Sequence, residues 1–275
     1  MHTLRTDLDL AEPRVIKGLF TRPNIFLDVT LFDAGGHREL LAPLKAELID
    51  KKECAVKTLL YANKELASSL AVHVGTAIGQ YHGKTDGHKR VDYFLANSSV
   101  ERKHFLRSNF MLANSYTRGL FATSALGMGL NILALYCVWD IDFVRTLADW
   151  CQEFGRDGRP STAILCISSM RHKDACLKRF VNAFKQKRCL RMVIARHYDP
   201  TCSVNDIRNA QPGETDAEKA RSCCSVCLER GTMFDSHKAS VREEHDLETQ
   251  IAALQRRQDS LRMAPRSASS GPTPQ

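Results

Sequence analysis

The sequence predicts an α/β fold in which a parallel sheet is covered by helices on both faces, and three observations carry that expectation. Short runs rich in apolar or β-branched residues alternate along the chain with stretches of helical pattern. The strand-like runs are apolar throughout, as befits strands with no solvent-facing side. Two glycine-rich runs also fall at predicted strand ends, and ligands of open parallel sheets collect at the carboxyl ends of the strands.

In chain order, the strands are expected at residues 25–30, 55–62, 119–123, 136–140 and 162–168. Helices are expected between them at 38–50, 64–73, 102–112 and 146–154. From 171 to about 230 the pattern changes to helices followed by a cysteine-bearing loop. Residues 241–261 form a charged helical stretch with Leu247, Ile251, Leu254 and Leu261 near heptad spacing, too short for a dependable coiled coil. Residues 264–275, rich in Ser and Pro, read as a disordered tail.

Composition sets the outer bounds. With 275 residues, 43% hydrophobic and 25% charged, the chain can bury a core in one or two domains. No apolar stretch reaches membrane-spanning length and the start lacks a signal-peptide core, so no membrane partner is expected. Among the ten cysteines, Cys54, Cys137 and Cys166 sit inside apolar runs, where a free thiol behaves as a small buried hydrophobe. Reduced thiols point to an intracellular protein, in the nucleus or cytosol. The net charge is +8, and residues 171–196 alone hold nine Lys/Arg against the single acid Asp174, which equals the whole excess. Such a strip suits a phosphate backbone, with Arg171, Lys173, Lys178 and Arg179 as candidate contacts; a solvated helical face is the alternative. Leu177, Phe180, Val181 and Phe184 recur there at helical spacing, giving a helix an apolar underside.

The chemistry concentrates in two runs. Gln152-Glu-Phe-Gly155-Arg156-Asp-Gly158-Arg159 carries two guanidiniums three residues apart, which share a face of a helical turn and can meet phosphate oxygens bidentately. Upstream, Phe121-Ala-Thr123-Ser-Ala-Leu-Gly127-Met-Gly129-Leu-Asn131 is an apolar strand breaking into a glycine turn, whose N–H groups can cradle phosphate. Taken alone, each run also fits an ordinary tight or basic turn.

Together these runs resemble motifs V and VI of the RecQ family of superfamily 2 DNA helicases, and the likeness continues in order. Thr21-Arg-Pro-Asn-Ile25 resembles the segment leading from the first motor domain into the second. Thr58-Leu-Leu-Tyr61-Ala resembles the motif IV strand, and Tyr81-His82-Gly83 the turn after it. Cys189-Leu-Arg191 and Cys224-Ser-Val-Cys227 resemble the family's zinc subdomain. The resemblance covers roughly residues 10–230. It implies a linker at 1–35, a RecA-like second motor domain at 36–169, a helical zinc-binding subdomain at 170–230, and a charged helix and tail at 231–275.

By the same resemblance, Arg159, Arg156 and Gln152 serve catalysis on ATP and Mg bound by a first motor domain, Gln152 contacting nucleotide or DNA, with Gly127, Gly129, Asn131 and Gly155 at the nucleotide and the Gly127 and Gly129 amides coupling it to the DNA backbone. Thr123, Ser124 and His82 face DNA. Asn131 stands where most relatives carry aspartate, and Pro160-Ser161 follows Arg159 where the family has Asp-Gly. Cys189, Cys202, Cys224 and Cys227 are the expected zinc ligands, with Cys223 and His197 left as alternatives for two of them, since a C-x-x-C pair needs two further ligands to close a tetrahedral site.

Gly83-Lys84-Thr85 ends like a phosphate-binding loop, but Gly79 is one residue too close for the full motif. The sequence contains no G-x-x-x-x-G-K-[ST] and no D-E-x-H. Activity is therefore expected only with a first motor domain, in cis or in trans. The expected origins are, in order, a truncated or mis-split gene product and an accessory lobe. The competing reading is a non-catalytic, zinc-stabilised nucleic-acid-binding module.

Overall fold

Six strands, all parallel, form one sheet in the computed structural model, which describes residues 22–80, 89–126, 131–154 and 159–232. His82, Gly127, Gly129, Gly155, Arg156, the expected helix at 241–261 and the tail lie outside the described residues. The strands are β1 (Ile25–Leu31), β2 (Thr58–Tyr61), β3 (Val91–Phe94), β4 (Gly119–Ala122), β5 (Cys137–Ile141) and β6 (Ser161–Ile167), in spatial order β1-β6-β5-β2-β4-β3.

Two-residue periodicity sorts the strand side chains onto two faces. Ile25, Leu27, Leu59, Tyr61, Leu120, Val138 and Leu165 join one apolar cluster, while Leu60, Phe121, Ile141 and Cys166 join the other. The second face is covered by α1 (His37–Leu40), α2 (Ala42–Lys51) and α3 (Lys64–Ala77), through Leu41, Leu44, Leu48, Leu70 and Val74. The helix expected at 38–50 is thus broken at Leu41, where Pro43 in the first turn of α2 has no N–H to continue the earlier helix.

The first face takes α4 (Val100–Met111) and α5 (Leu147–Glu153), and then five helices that the sequence had assigned to a separate subdomain. These are α6 (Ala175–Lys185), α7 (Leu190–Tyr198), α8 (Val204–Ala210), α9 (Asp216–Cys223) and α10 (Ser225–Arg230). Phe180 of α6 packs on Trp150 of α5 with ring centroids 4.9 Å apart, and Leu190, Ile207 and Cys223 share the cluster with β1. The helical extension therefore shares the sheet's core. The expected cysteine-bearing loop is a helix junction, with Cys224 extended between α9 and α10.

Two other expectations need correction. The segment 1–35, read as a linker, contains β1, where a strand was expected at 25–30, and β1 pairs with β6 from Ile25↔Ser161 to Leu31↔Ile167 as part of the domain's sheet. Strand β3 was missed because Asp92 interrupts an already short apolar run. It is buried there by accepting the Tyr93 N–H at 2.8 Å and pairing with Arg102 at 2.5 Å.

Helix α5 starts at Thr146, whose hydroxyl accepts the Asp149 N–H at 3.0 Å. Thr146→Ala should cost about 1 kcal/mol of unfolding free energy, read from urea denaturation midpoints, because it leaves a first-turn donor without that partner.

Candidate functional site

A cleft of about 730 Å³ opens at the carboxyl ends of β2, β4 and β5, where crossover connections leave the sheet. Tyr61, Asn63, Ser124, Phe143, Arg145 and Gln152 are among its lining residues, so the structure brings Ser124 and Gln152 into one site. Thr123 leaves β4 at the same end, its N–H donating to the Phe94 carbonyl at 3.3 Å. Tyr61 and Phe143 stack with centroids 6.4 Å apart.

Beneath the cleft, Asp140 is fully buried on β5, its Oδ1 accepting the N–H groups of Phe143 (3.2 Å) and Val144 (3.1 Å). Burial pushes its carboxyl up to about 6, against opposing contributions from Glu153, the Val144 N–H, the Lys173 charge and the Phe143 N–H. Because the folded value exceeds the unfolded value of 3.8, the folded state binds more protons between them. The stability Asp140 contributes is therefore complete below about pH 4 and lost as pH rises through 6. Asp140→Asn keeps the Oδ1 acceptor and removes the titration. It should exceed wild type in stability by on the order of 2–3 kcal/mol at pH 8 and match it at pH 4 in paired denaturation curves.

Lys173 corrects one expected DNA contact. Its side chain is buried, and the ammonium donates to the carbonyls of Asp142 (3.0 Å) and Val144 (2.5 Å) in the loop after β5. Arg191, also counted in the basic strip, is buried at 1% exposure. Lys187 pairs with Glu229 at 2.5 Å. Arg171 and Lys178 remain exposed, and Arg179 is half-buried. Helix α6 does carry the expected apolar underside of Leu177, Phe180 and Val181.

Arg159 stands at the other end of the sheet. It is exposed and lies two residues before the amino end of β6, next to Asn24, which directly precedes β1. The expectation that both chemistry-bearing runs lie at carboxyl ends therefore holds for Thr123–Ser124 and fails for Arg159. Asn131, six residues before β5, is exposed. Around Arg159 the chain is tied to the Arg22–Asn24 segment: Asn24 Nδ2 donates to the Arg159 carbonyl at 2.9 Å, and the Ser161 N–H donates to the Asn24 carbonyl at 3.0 Å.

Four cysteines form the remaining constellation. The sulfurs of Cys189, Cys223, Cys224 and Cys227 all lie within 4.8 Å of one another, with Cys189 and Cys223 at 3.7 Å. Zinc–sulfur bonds of about 2.3 Å put tetrahedral sulfurs about 3.8 Å apart, so this donor set fits a closed four-thiolate site. Hydrogen bonds from the Cys189, Cys223 and Cys227 thiols hold Cys224 well below the usual thiol range, while hydrogen bonds with Cys223, Cys224 and Cys227 push Cys189 well above it. Cys202 is not in the cluster: it precedes α8, buried, its Sγ 3.7 Å from the Ser203 carbonyl. Cys223 takes its place because α9 fills residues 216–223 and delivers its last residue beside Cys224, while a parallel bridge from Leu27 to Cys224 pins the junction. His197 instead packs against the Tyr198 ring, 4.9 Å between centroids.

Fold and site thus define a parallel α/β lobe whose helical extension ends in a buried four-cysteine cluster. No family description and no curated protein matches the sequence. Among solved structures, the chain is similar to the yeast DEAD-box splicing factor Prp28 at 20% identity, covering 70% of this chain and 38% of that one, with a TM-score of 0.44. It is similar to the E. coli DEAD-box protein SrmB, bound to regulator of ribonuclease activity A, at 17% identity over 52% of this chain and 77% of that one, with a TM-score of 0.37. It is also similar to a hypothetical ATP-dependent RNA helicase from Sulfolobus tokodaii at 13% identity, covering 60% and 44% of the two chains, with a TM-score of 0.36.

Proposed function

We propose that this chain is the second motor lobe of a RecQ-like, ATP-dependent 3′-to-5′ DNA helicase acting in the nucleus. The observation that carries the reading is the ordered series of motor motifs distributed over one parallel sheet, with the Arg22–Asn24 segment hydrogen-bonded to the arginine-bearing run. In this reading a first lobe, in cis or in trans, presents ATP with Mg. Arg159, with Arg156 beside it, stabilises the charge that develops on the transferred phosphoryl group. Gly127, Gly129, Asn131 and Gly155 border the nucleotide. Thr123, Ser124 and His82 face the DNA backbone, and the cleft position of Gln152 favours DNA over nucleotide as its contact. Arg171 and Lys178 extend that surface by their exposed charge. Zinc held by Cys189, Cys223, Cys224 and Cys227 would neutralise and fix the thiolates, a structural and not a catalytic part.

The sequence contains no phosphate-binding lysine motif and no D-E-x-H, so hydrolysis by this polypeptide alone is not expected. Mixing it with an isolated first motor lobe should raise DNA-stimulated ATP hydrolysis. A rate equal to that of the first lobe alone overturns the proposal. That same absence of nucleotide-binding motifs favours the second reading, a nucleic-acid-binding module stabilised by zinc. It predicts salt-dependent DNA binding with no gain in hydrolysis on mixing.

A further inference from the structure

We propose that Arg22 is a positioning residue that mechanically joins the four-cysteine cluster to the Arg159 turn, so that metal in the cluster governs where Arg159 sits. The inference rests on the motor-lobe reading for its functional meaning, while its structural content stands on contacts between residues far apart in the chain.

The connection begins at the knuckle. Arg191 is buried, and its guanidinium donates to the Cys223 carbonyl at 2.8 Å, to the Arg22 carbonyl at 2.9 Å and, in a short contact, to the Ile25 carbonyl. Gln211 runs parallel to it, its amide donating to the Ser222 and Pro23 carbonyls at 3.0 Å each. One cation and one amide therefore clamp the end of α9 to residues 22–25. A delocalised, permanently charged fork can span three acceptors in this way, whereas an ammonium would serve them one direction at a time.

From that clamp the connection passes through the Arg22 side chain. Its Nη1 donates to the carbonyls of Cys151 (3.1 Å) and Phe154 (2.6 Å), and its guanidinium carbon lies 5.7 Å from the Phe154 ring centroid. The last carbonyls of a helix have no partner within it, and a cation there also meets the negative end of the helix dipole. Arg22 thereby caps the helix that leads into the arginine run, while Asn24 grips the Arg159 carbonyl on the far side of that run. The backbone of Arg22 has φ 40°, a conformation L-residues rarely adopt. It is held there from two directions, its carbonyl accepting the Ile25 N–H at 3.0 Å as well as Arg191.

Metal acts at the head of this chain of contacts. Thiolates gathered around one point repel each other unless a cation binds them, so loading the cluster fixes the α9–α10 junction and with it the Cys223 carbonyl. Without it, Arg191 loses a fixed acceptor and Arg22 loses a fixed donor.

The test is amide hydrogen exchange of the full chain, read on peptides spanning 148–161, with and without removal of zinc by a chelator. Zinc content is measured on the same samples. In wild type, chelation should speed exchange there by at least about fivefold, the lower bound of a typical coupling energy. Arg22→Met, which keeps the stem over Phe154 but no donor, should hold zinc as wild type does and exchange quickly already when loaded, with no further change on chelation. Asn24→Ala serves as a second variant, losing only the grip on the Arg159 carbonyl, and should show the faster exchange at 159–161 alone. Zinc removal that leaves wild-type exchange unchanged, or speeds wild type and Arg22→Met equally, overturns the coupling while leaving the motor-lobe reading intact. A chain that binds no zinc overturns the metal assignment and the coupling with it. Failure of the mixing experiment alone would strip Arg159 of its proposed role and leave the exchange result standing.

Discussion

Arg159→Ala should lower the ATP hydrolysis restored by a first motor lobe by about 10³-fold or more, the usual cost of removing a guanidinium that meets transition-state charge. The position lends itself to a clean test. Arg159 is exposed at the amino end of β6, and the Asn24 contact is to its backbone carbonyl, which the substitution leaves in place. Folding stability should therefore change little. Because the interaction is proposed to form as charge develops, the loss should appear in kcat, with a smaller effect on KM. Arg159→Lys should fall between wild type and alanine, since it keeps a charge but not the planar fork. Steady-state hydrolysis at saturating DNA measures all three. If alanine hydrolyses as fast as wild type, this arginine takes no part in the reaction.

The second large effect concerns the cysteines, and its value lies in a contrast between two positions. Cys223→Ser should abolish zinc binding and loosen α9 and α10, whereas Cys202→Ser should keep zinc at the wild-type content. Structural zinc contributes apparent folding free energies on the order of 10 kcal/mol in small zinc-dependent peptides. Here Ala220, Cys223, Val226 and Cys227 also pack into the sheet's core, so the lobe should stay folded while its thermal midpoint falls. Metal analysis together with thermal unfolding decides the matter. The reverse pattern, zinc lost with Cys202 and kept with Cys223, would contradict the geometry of the cluster.

The distance between these cysteines and their expected grouping shows what could be read in advance. The alternation of apolar strands with helical patterns, the Thr123 end of β4, the amphipathic α6 and the C-x-x-C pair are all local features, each visible within about a dozen residues. Local spacing leaves Cys223 and Cys224 as equal alternatives because they are adjacent; two helices, each opened by a capping box at Ser203 and Thr215, fill the stretch before them and bring both sulfurs into the cluster. Those S/T-x-x-D/E signals were present and could have found them. Lys173 was misassigned for a different reason: charge is visible in a sequence, but the two carbonyls that turn its ammonium inward come from β5's exit, about thirty residues away.

By itself, the order of residues determined the parallel α/β class, the carboxyl-end position of the Thr123–Ser124 turn and the pool of cysteines from which the cluster is drawn, because periodicity and short motifs act through near neighbours in the chain. Only the tertiary structure decided that β1 pairs with β6, that Arg159 emerges at the amino end, that Cys223 replaces Cys202, and that Arg22 caps a helix 129 and 132 residues further along. Each of these depends on groups brought together by burial of apolar surface over distances in sequence that local spacing does not encode.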